Sequence, residues 1–255
     1  MPKIASAVAS HPGLRRADNE DAYCVREDVG LYLVADGMGG HTAGEVASRL
    51  AAETIERFID DTRDADANQT WPFPYDTALS LDGNRLKAAF RLANRRLAKA
   101  MQENGDLRGM ATTVAALLVS QEPVIAHVGD SRIYRWRDGH LEQITQDHSW
   151  VSEQVRAGVM SVDDARRHPW RNVVTRALSG GEDPEVEVTP IDLQQGDRLL
   201  VCSDGLSGVV SPDRLEAIAG EAKAPQAICE DLVAAANEAG GPDNITVALL
   251  QVDVA

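Results

Sequence analysis

Apolar positions along this chain follow two rhythms. Short runs bounded by Gly, Pro, Asn, Asp or Ser predict strands near 4–10, 23–26, 31–35, 112–119, 124–128, 133–136, 141–144, 185–189, 198–202 and 246–252. Asp138-Gly139 between two of these runs is a hairpin signal. Helical spacing takes over at 43–59, where Val46, Ala47, Leu50, Ala51, Ile55, Phe58 and Ile59 share one face. A second helix is expected at 83–102, with Leu86, Ala89, Phe90, Ala93, Leu97 and Met101 at the same spacing. Between them, 60–80 has no periodicity and carries Trp71-Pro72-Phe73-Pro74, so it reads as a long loop with a function of its own. The polar stretch 146–172 predicts two short helices, the second capped at Ser161. Further helices are expected at 212–219 and 225–239.

This order is not a βαβ alternation. Hairpin-linked strands surround two long helices, and more helices gather near the C-terminus. The fold class expected is α+β, with antiparallel sheet and helices packed outside it. No repeat or low-complexity linker interrupts residues 1–255, which are read as a single domain.

Charge narrows the partners. Asp and Glu number 40 against 25 Lys and Arg, a net charge of −15. That balance, with no basic stripe, argues against nucleic acid and against anionic membranes. No apolar run approaches the roughly 20 residues of a membrane span, and the N-terminus lacks a signal-peptide core. Cys24, Cys202 and Cys229 are odd in number and form no C-x-x-C pair. They read as small buried hydrophobes in a reducing compartment, so a cytoplasmic protein is expected.

Four aspartates stand at the ends of apolar runs: Asp36, Asp130, Asp204 and Asp243. A carboxylate there is costly to bury without a partner. Four of them point to one shared partner, a cluster of divalent cations. With no His/Cys ligand set, an oxygen-only site suits Mg²⁺ or Mn²⁺. Gly37 after Asp36 leaves its carbonyl free to approach an ion. Arg16, beside Glu20 and Asp21, offers a planar fork for a phosphate.

Five motifs then occur in order: Arg16-x-x-Asn19-Glu20-Asp21, Asp36-Gly37-Met38-Gly39-Gly40-His41, Gly129-Asp130-Ser131-Arg132, Cys202-Ser203-Asp204-Gly205-Leu206 and Gly241-Pro242-Asp243-Asn244-Ile245-Thr246. Together they resemble the metal-dependent serine/threonine protein phosphatases of the PPM, or type 2C, family, and the small bacterial members in particular. The resemblance implies a four-layer α-β-β-α sandwich, two antiparallel β-sheets flanked by helices, with a mobile flap at about 146–178. It implies two Mn²⁺ or Mg²⁺ ions. Asp36 would bridge both, the Gly37 carbonyl would bind one, and Asp204 and Asp243 would hold the other. Glu20 and Asp21 would act through water, Arg16 would hold the substrate phosphate, and Asp130 would mark a third, weaker site with Asn172 as a further ligand. The implied reaction is direct hydrolysis of phosphoserine or phosphothreonine in proteins by a metal-bridging hydroxide. A cognate Ser/Thr kinase and a monomeric state complete the expectation. The competing readings are a catalytically weak phosphoprotein-binding regulator and a two-metal phosphodiesterase.

Histidines divide the remaining chemistry. His41 is read as a general acid or as a cap for the helix that follows. His148, in the flap, is expected to face solvent. His127, in an apolar strand, is expected to be a hydrogen-bonded core residue, and Cys202 a packing residue.

Overall fold

The computed structural model describes residues 4–40, 42–66 and 70–252. Strands β1 (Ile4–His11), β2 (Asp21–Arg26) and β3 (Leu31–Met38) lead into helices α1 (Ala43–Asp61) and α2 (Leu81–Glu103). Then come β4 (Ala111–Leu118), β5 (Val124–Val128), β6 (Arg132–Arg137) and β7 (His140–Gln143). The short helices α3 (Trp150–Arg156) and α4 (Val162–Arg167) follow. The chain closes through β8 (Glu187–Pro190), β9 (Arg198–Cys202), α5 (Asp204–Ser207), α6 (Pro212–Ala219), α7 (Pro225–Glu238) and β10 (Ile245–Val252).

Two five-stranded sheets result, ordered β1-β10-β9-β6-β7 and β2-β3-β4-β5-β8, and every pairing is antiparallel. Side-chain alternation sorts their faces. In β3, Tyr32 and Val34 meet Leu199 and Val201 of β9 and Leu250 of β10 between the sheets. Leu31, Leu33 and Ala35 point the other way, onto Ile55 and Ile59 of α1 and Leu86 and Phe90 of α2. On the far side, Leu200 and Cys202 of β9 pack on Ile228 and Leu232 of α7. The layers are therefore helix, sheet, sheet, helix, as the resemblance implied. Strands buried on both faces read as unbroken apolar runs, which is why Leu31–Ala35 and Leu199–Cys202 carry no polar alternation.

Details differ from the sequence reading at element ends. Helix α2 starts at Leu81, not Gly83, because the Ser80 side chain accepts a hydrogen bond from Gly83 N and caps it. Strand β3 runs on to Met38 because β4 pairs with Asp36, Gly37 and Met38 through Thr113, Thr112 and Ala111. Helix α5 was not anticipated; four residues are too few to show a period. No helix among the described residues is long and apolar enough to cross a membrane.

Candidate active site

Five aspartates from separate segments converge where the two sheets meet. Asp21 opens β2 and stands opposite Asp36 of β3. Asp130 follows β5, Asp204 begins α5 directly after β9, and Asp243 precedes β10. Of the four aspartates read as strand-end residues, Asp36 departs: it lies inside β3, for the pairing reason given above. Asp36 feels the charges of Asp21, Asp204, Asp130 and Asp243 and lies within hydrogen-bonding reach of Asp204.

Burial and mutual repulsion act in the same direction here. Burial, then the Asp21 and Asp204 charges, holds the Asp36 carboxyl well above the usual carboxylate range. Burial is also the largest cause at Asp21 and at Asp130, each pushed up to about 7. Asp204 is raised by burial and by Asp243. Glu20 is raised by burial, with Arg16 opposing. Cations shared among these carboxylates would favour their ionised forms.

The frame around the acids is made of neutral groups. The Asn244 side chain accepts from Glu20 N at 2.8 Å and donates to the carbonyls of Pro12 and Asp18 at 3.0 and 2.8 Å. It thereby fixes the acidic N-terminal segment to the start of β10. Ser203 Oγ donates to Asp21 Oδ2 at 2.8 Å and accepts from Thr246 N at 3.0 Å. Thr112 Oγ1 donates to the Asp36 carbonyl at 2.8 Å. None of these three was singled out from the sequence. Asn244 stood inside a quoted motif without a role, and the motif itself was the available signal.

A divalent metal centre fits this arrangement. Glu20 Oε1 and Asp21 Oδ1 are buried and have no hydrogen-bond partner. Gly37 packs so closely on the backbone of Gly44 and Glu20 that any Cβ would collide, and a Cβ on Gly44 would strike the Glu20 carboxylate. The pocket wall is shaped around that carboxylate, and the donors are hard oxygens suited to Mg²⁺ or Mn²⁺.

Arg16 sits at the rim, its side chain 51% exposed, with Nη2 2.9 Å from Asp243 Oδ2. The fork is thus tied to the acidic cluster while open to solvent. Asn172 is exposed in the flap segment. His41 lies outside the described residues. The cap position of α1 is Thr42, whose side chain makes no capping bond.

His148 does not face solvent; only 1% of it is exposed. Its ring stacks on His127, centroids 4.6 Å apart and planes 12° apart. Gly129 N donates to His148 Nδ1 at 3.1 Å, so the ring proton sits on Nε2, which donates to Glu187 Oε2 at 3.2 Å. His127, buried as expected, donates from Nε2 to the Gln146 carbonyl at 2.8 Å. The ligand atoms of His127, His148 and Glu187 lie within 4.8 Å of one another, close enough for a metal. The hydrogen bonds argue against one. A neutral His148 bound through Nε2 would carry its proton on Nδ1, against the Gly129 N–H. The cluster is better described as a latch joining the base of the flap to β5 and β8. Cys202 is fully buried and unpaired, in keeping with a packing role.

The sequence matches the family profile described as Protein phosphatase 2C over residues 10–245. It is 39% identical over 248 residues to "Serine/threonine protein phosphatase PstP" of Mycobacterium tuberculosis, covering 96% of this chain but only 44% of that protein's length. It is 35% identical over 241 residues to "Serine/threonine phosphatase stp" of Listeria monocytogenes, covering 93% of this chain and 90% of that one. Among solved structures, the catalytic domain of PstP in complex with two manganese ions superposes with a TM-score of 0.81 at 35% identity. That match covers 98% of this chain and 99% of the domain.

Proposed function

Because the chain belongs to the protein phosphatase 2C family, we propose that it is a metal-dependent phosphatase that removes phosphate from phosphoserine and phosphothreonine in proteins. The observation that carries this reading is the convergence of Asp21, Asp36, Asp130, Asp204 and Asp243, with two buried carboxylate oxygens left without a protein partner. In this reading Asp36, the Gly37 carbonyl, Asp204 and Asp243 hold two Mn²⁺ or Mg²⁺ ions. Glu20 and Asp21 contribute through water, and Asp130, with Asn172, serves a third ion. The ions, when bound, supply charge stabilisation for a phosphoryl group and lower the pKa of water.

The chain's own residues do the rest. Arg16 receives the phosphate at the rim and orients it through its planar fork, taking the fork from Asp243 to the substrate. Asn244 and Ser203 hold the N-terminal acids still while this happens. His41, beside the cluster in sequence, is the proposed proton donor to the leaving oxygen.

The wider reading is a single phosphatase domain over 1–255, acting as a cytoplasmic monomer opposite a cognate Ser/Thr kinase. Three free, buried thiols support the reducing compartment.

The test is Mn²⁺-dependent phosphate release from a phosphothreonine peptide, with wild type beside Asp36→Asn. Release in the wild type should fall on the order of a hundredfold or more in the variant. A folded wild type that releases nothing with Mn²⁺ or Mg²⁺ would sink the reading in favour of a phosphoprotein-binding regulator. Faster hydrolysis of bis-nitrophenyl phosphate than of the monoester would favour a phosphodiesterase.

A further inference from the structure

Helix α2 carries Lys87, Arg91 and Arg95 at four-residue intervals, so the three cations form one row. The row faces an open cleft of about 680 Å³ roofed by Phe73 and Tyr75 of the loop between α1 and α2. Like charges at this spacing repel, and the net charge of −15 conceals that the chain keeps such a row at all. Lys87 pairs with Asp76 at 2.8 Å and Arg91 with Asp183 at 2.6 Å. Among the described residues Arg95 has no acidic partner; its guanidinium lies over the Phe73 ring, 4.1 Å from the centroid. Arg91 Nε, in the cleft wall, is buried without an acceptor, and so is Trp71 Nε1 in a small adjoining cavity that shares Phe73, Tyr75, Lys87 and Arg91 with the cleft. Three cations meet two carboxylates, and two buried N–H groups meet nothing.

A cleft short of acceptors and of negative charge is a site for an oxyanion. We propose that this cleft binds a phosphate-type dianion, free or as a phosphate monoester, at a place that shares no residue with the acidic cluster. Arg91 and Arg95 supply the charge, Arg91 the unmatched N–H donor, and the Phe73 face holds the guanidiniums in position. The cleft also touches the segment through which the flap returns to the sheet. Asn94, next along α2, accepts from Ser179 N and Gly180 N at 3.0 and 2.8 Å and donates to the Glu182 carbonyl at 2.9 Å. Gly180, at φ +69°, lies so close to Ala98 that no side chain fits there. An anion on Arg91 competes with Asp183 in that same segment, so its binding is felt at the exit of the flap.

The Trp71 indole N–H, in the cavity behind the shared wall of Phe73, Tyr75, Lys87 and Arg91, reports the site as its neighbour. Its ¹H–¹⁵N resonance, assigned by loss in Trp71→Phe, is followed in the metal-loaded protein as inorganic phosphate or free phosphoserine is added. Chloride at equal ionic strength is the control. We expect a saturable shift whose dissociation constant rises about tenfold in Arg95→Ala, while the variant's melting temperature and its hydrolysis of p-nitrophenyl phosphate stay at wild-type values. A shift with phosphoserine alone would establish the site and assign it to phosphorylated residues; a shift with both would assign it to the phosphate group itself. No shift beyond the chloride control, or the same dissociation constant in Arg95→Ala, overturns the proposal. Failure of the phosphatase reading would leave this result untouched, because the signal comes from Trp71 and not from turnover.

Discussion

Asn244 has no charge, yet three backbone groups of the segment between β1 and β2 depend on its amide. One face accepts from Glu20 N, the other donates to Pro12 and Asp18 carbonyls, and only 4% of the residue is exposed. Replacing it with Ala leaves a donor and two acceptors unpaired, a loss of roughly 2–4 kcal/mol. Because Glu20 and Asp21 hang from the released segment, Asn244→Ala should also weaken Mn²⁺ binding severalfold. Urea melts and a calorimetric Mn²⁺ titration check the two effects together; unchanged Mn²⁺ affinity in a destabilised variant would reduce Asn244 to a purely structural bond. The acids themselves were legible in the sequence, because a carboxylate at the end of an apolar run demands a partner. Asn244 was not, since an amide beside an aspartate before a strand looks like any turn residue. The burial of His148 is hidden from the sequence for a related reason. Its burial comes from β5 and from Glu187 of β8, neither of which its polar neighbours in sequence announce.

At the scale of elements, periodicity carried most of the fold. The two long helices and ten strands appear where the rhythm of apolar residues places them, because strands covered on both faces and helices covered on one each leave a distinct signature. What escaped was set by single contacts: the Ser80 cap, the extension of β3 along β4, and the one-turn α5. The flap belongs to this scale. Segment 146–178 contains α3 and α4, and its described anchors include the isolated bridges Ser149–Val174 and Thr112–Leu178 and the His127–His148–Glu187 latch. Breaking the latch with His148→Ala strips Gly129 N of its acceptor and unstacks His127, costing about 1–3 kcal/mol. The loss should be local. Amide exchange in Trp150–Arg156 should quicken while that of α2 stays slow. Equal acceleration in both helices would mean that His148 supports the global fold and not the flap.

For the whole molecule, the acidic cluster is a liability that metal relieves, and pH exposes it. Asp21 and Asp130 are each raised from 3.8 to about 7, burial being the largest cause. The folded, metal-free protein therefore holds protons that the unfolded chain has released. Between about pH 4 and pH 7 these carboxylates make stability fall as pH rises, against the opposite pull of His148, whose pKa burial lowers. The carboxylates held low by ion pairs, Asp28 by Arg26, Asp76 by Lys87 and Asp192 by Arg137, act below that window and are fully favourable within it. The coupled cluster should therefore cost the metal-free protein several kcal/mol across the window. At about 2–4 °C per kcal/mol for a domain near this size, melting should drop by several degrees from pH 4.5 to pH 7. Saturating Mn²⁺ keeps the same carboxylates ionised in the folded state and so should flatten or invert the slope. Scanning calorimetry at several pH values, with EDTA or with Mn²⁺, reads both slopes directly. Parallel curves with and without metal would show that these aspartates are not where the ions bind, whatever the activity assays report.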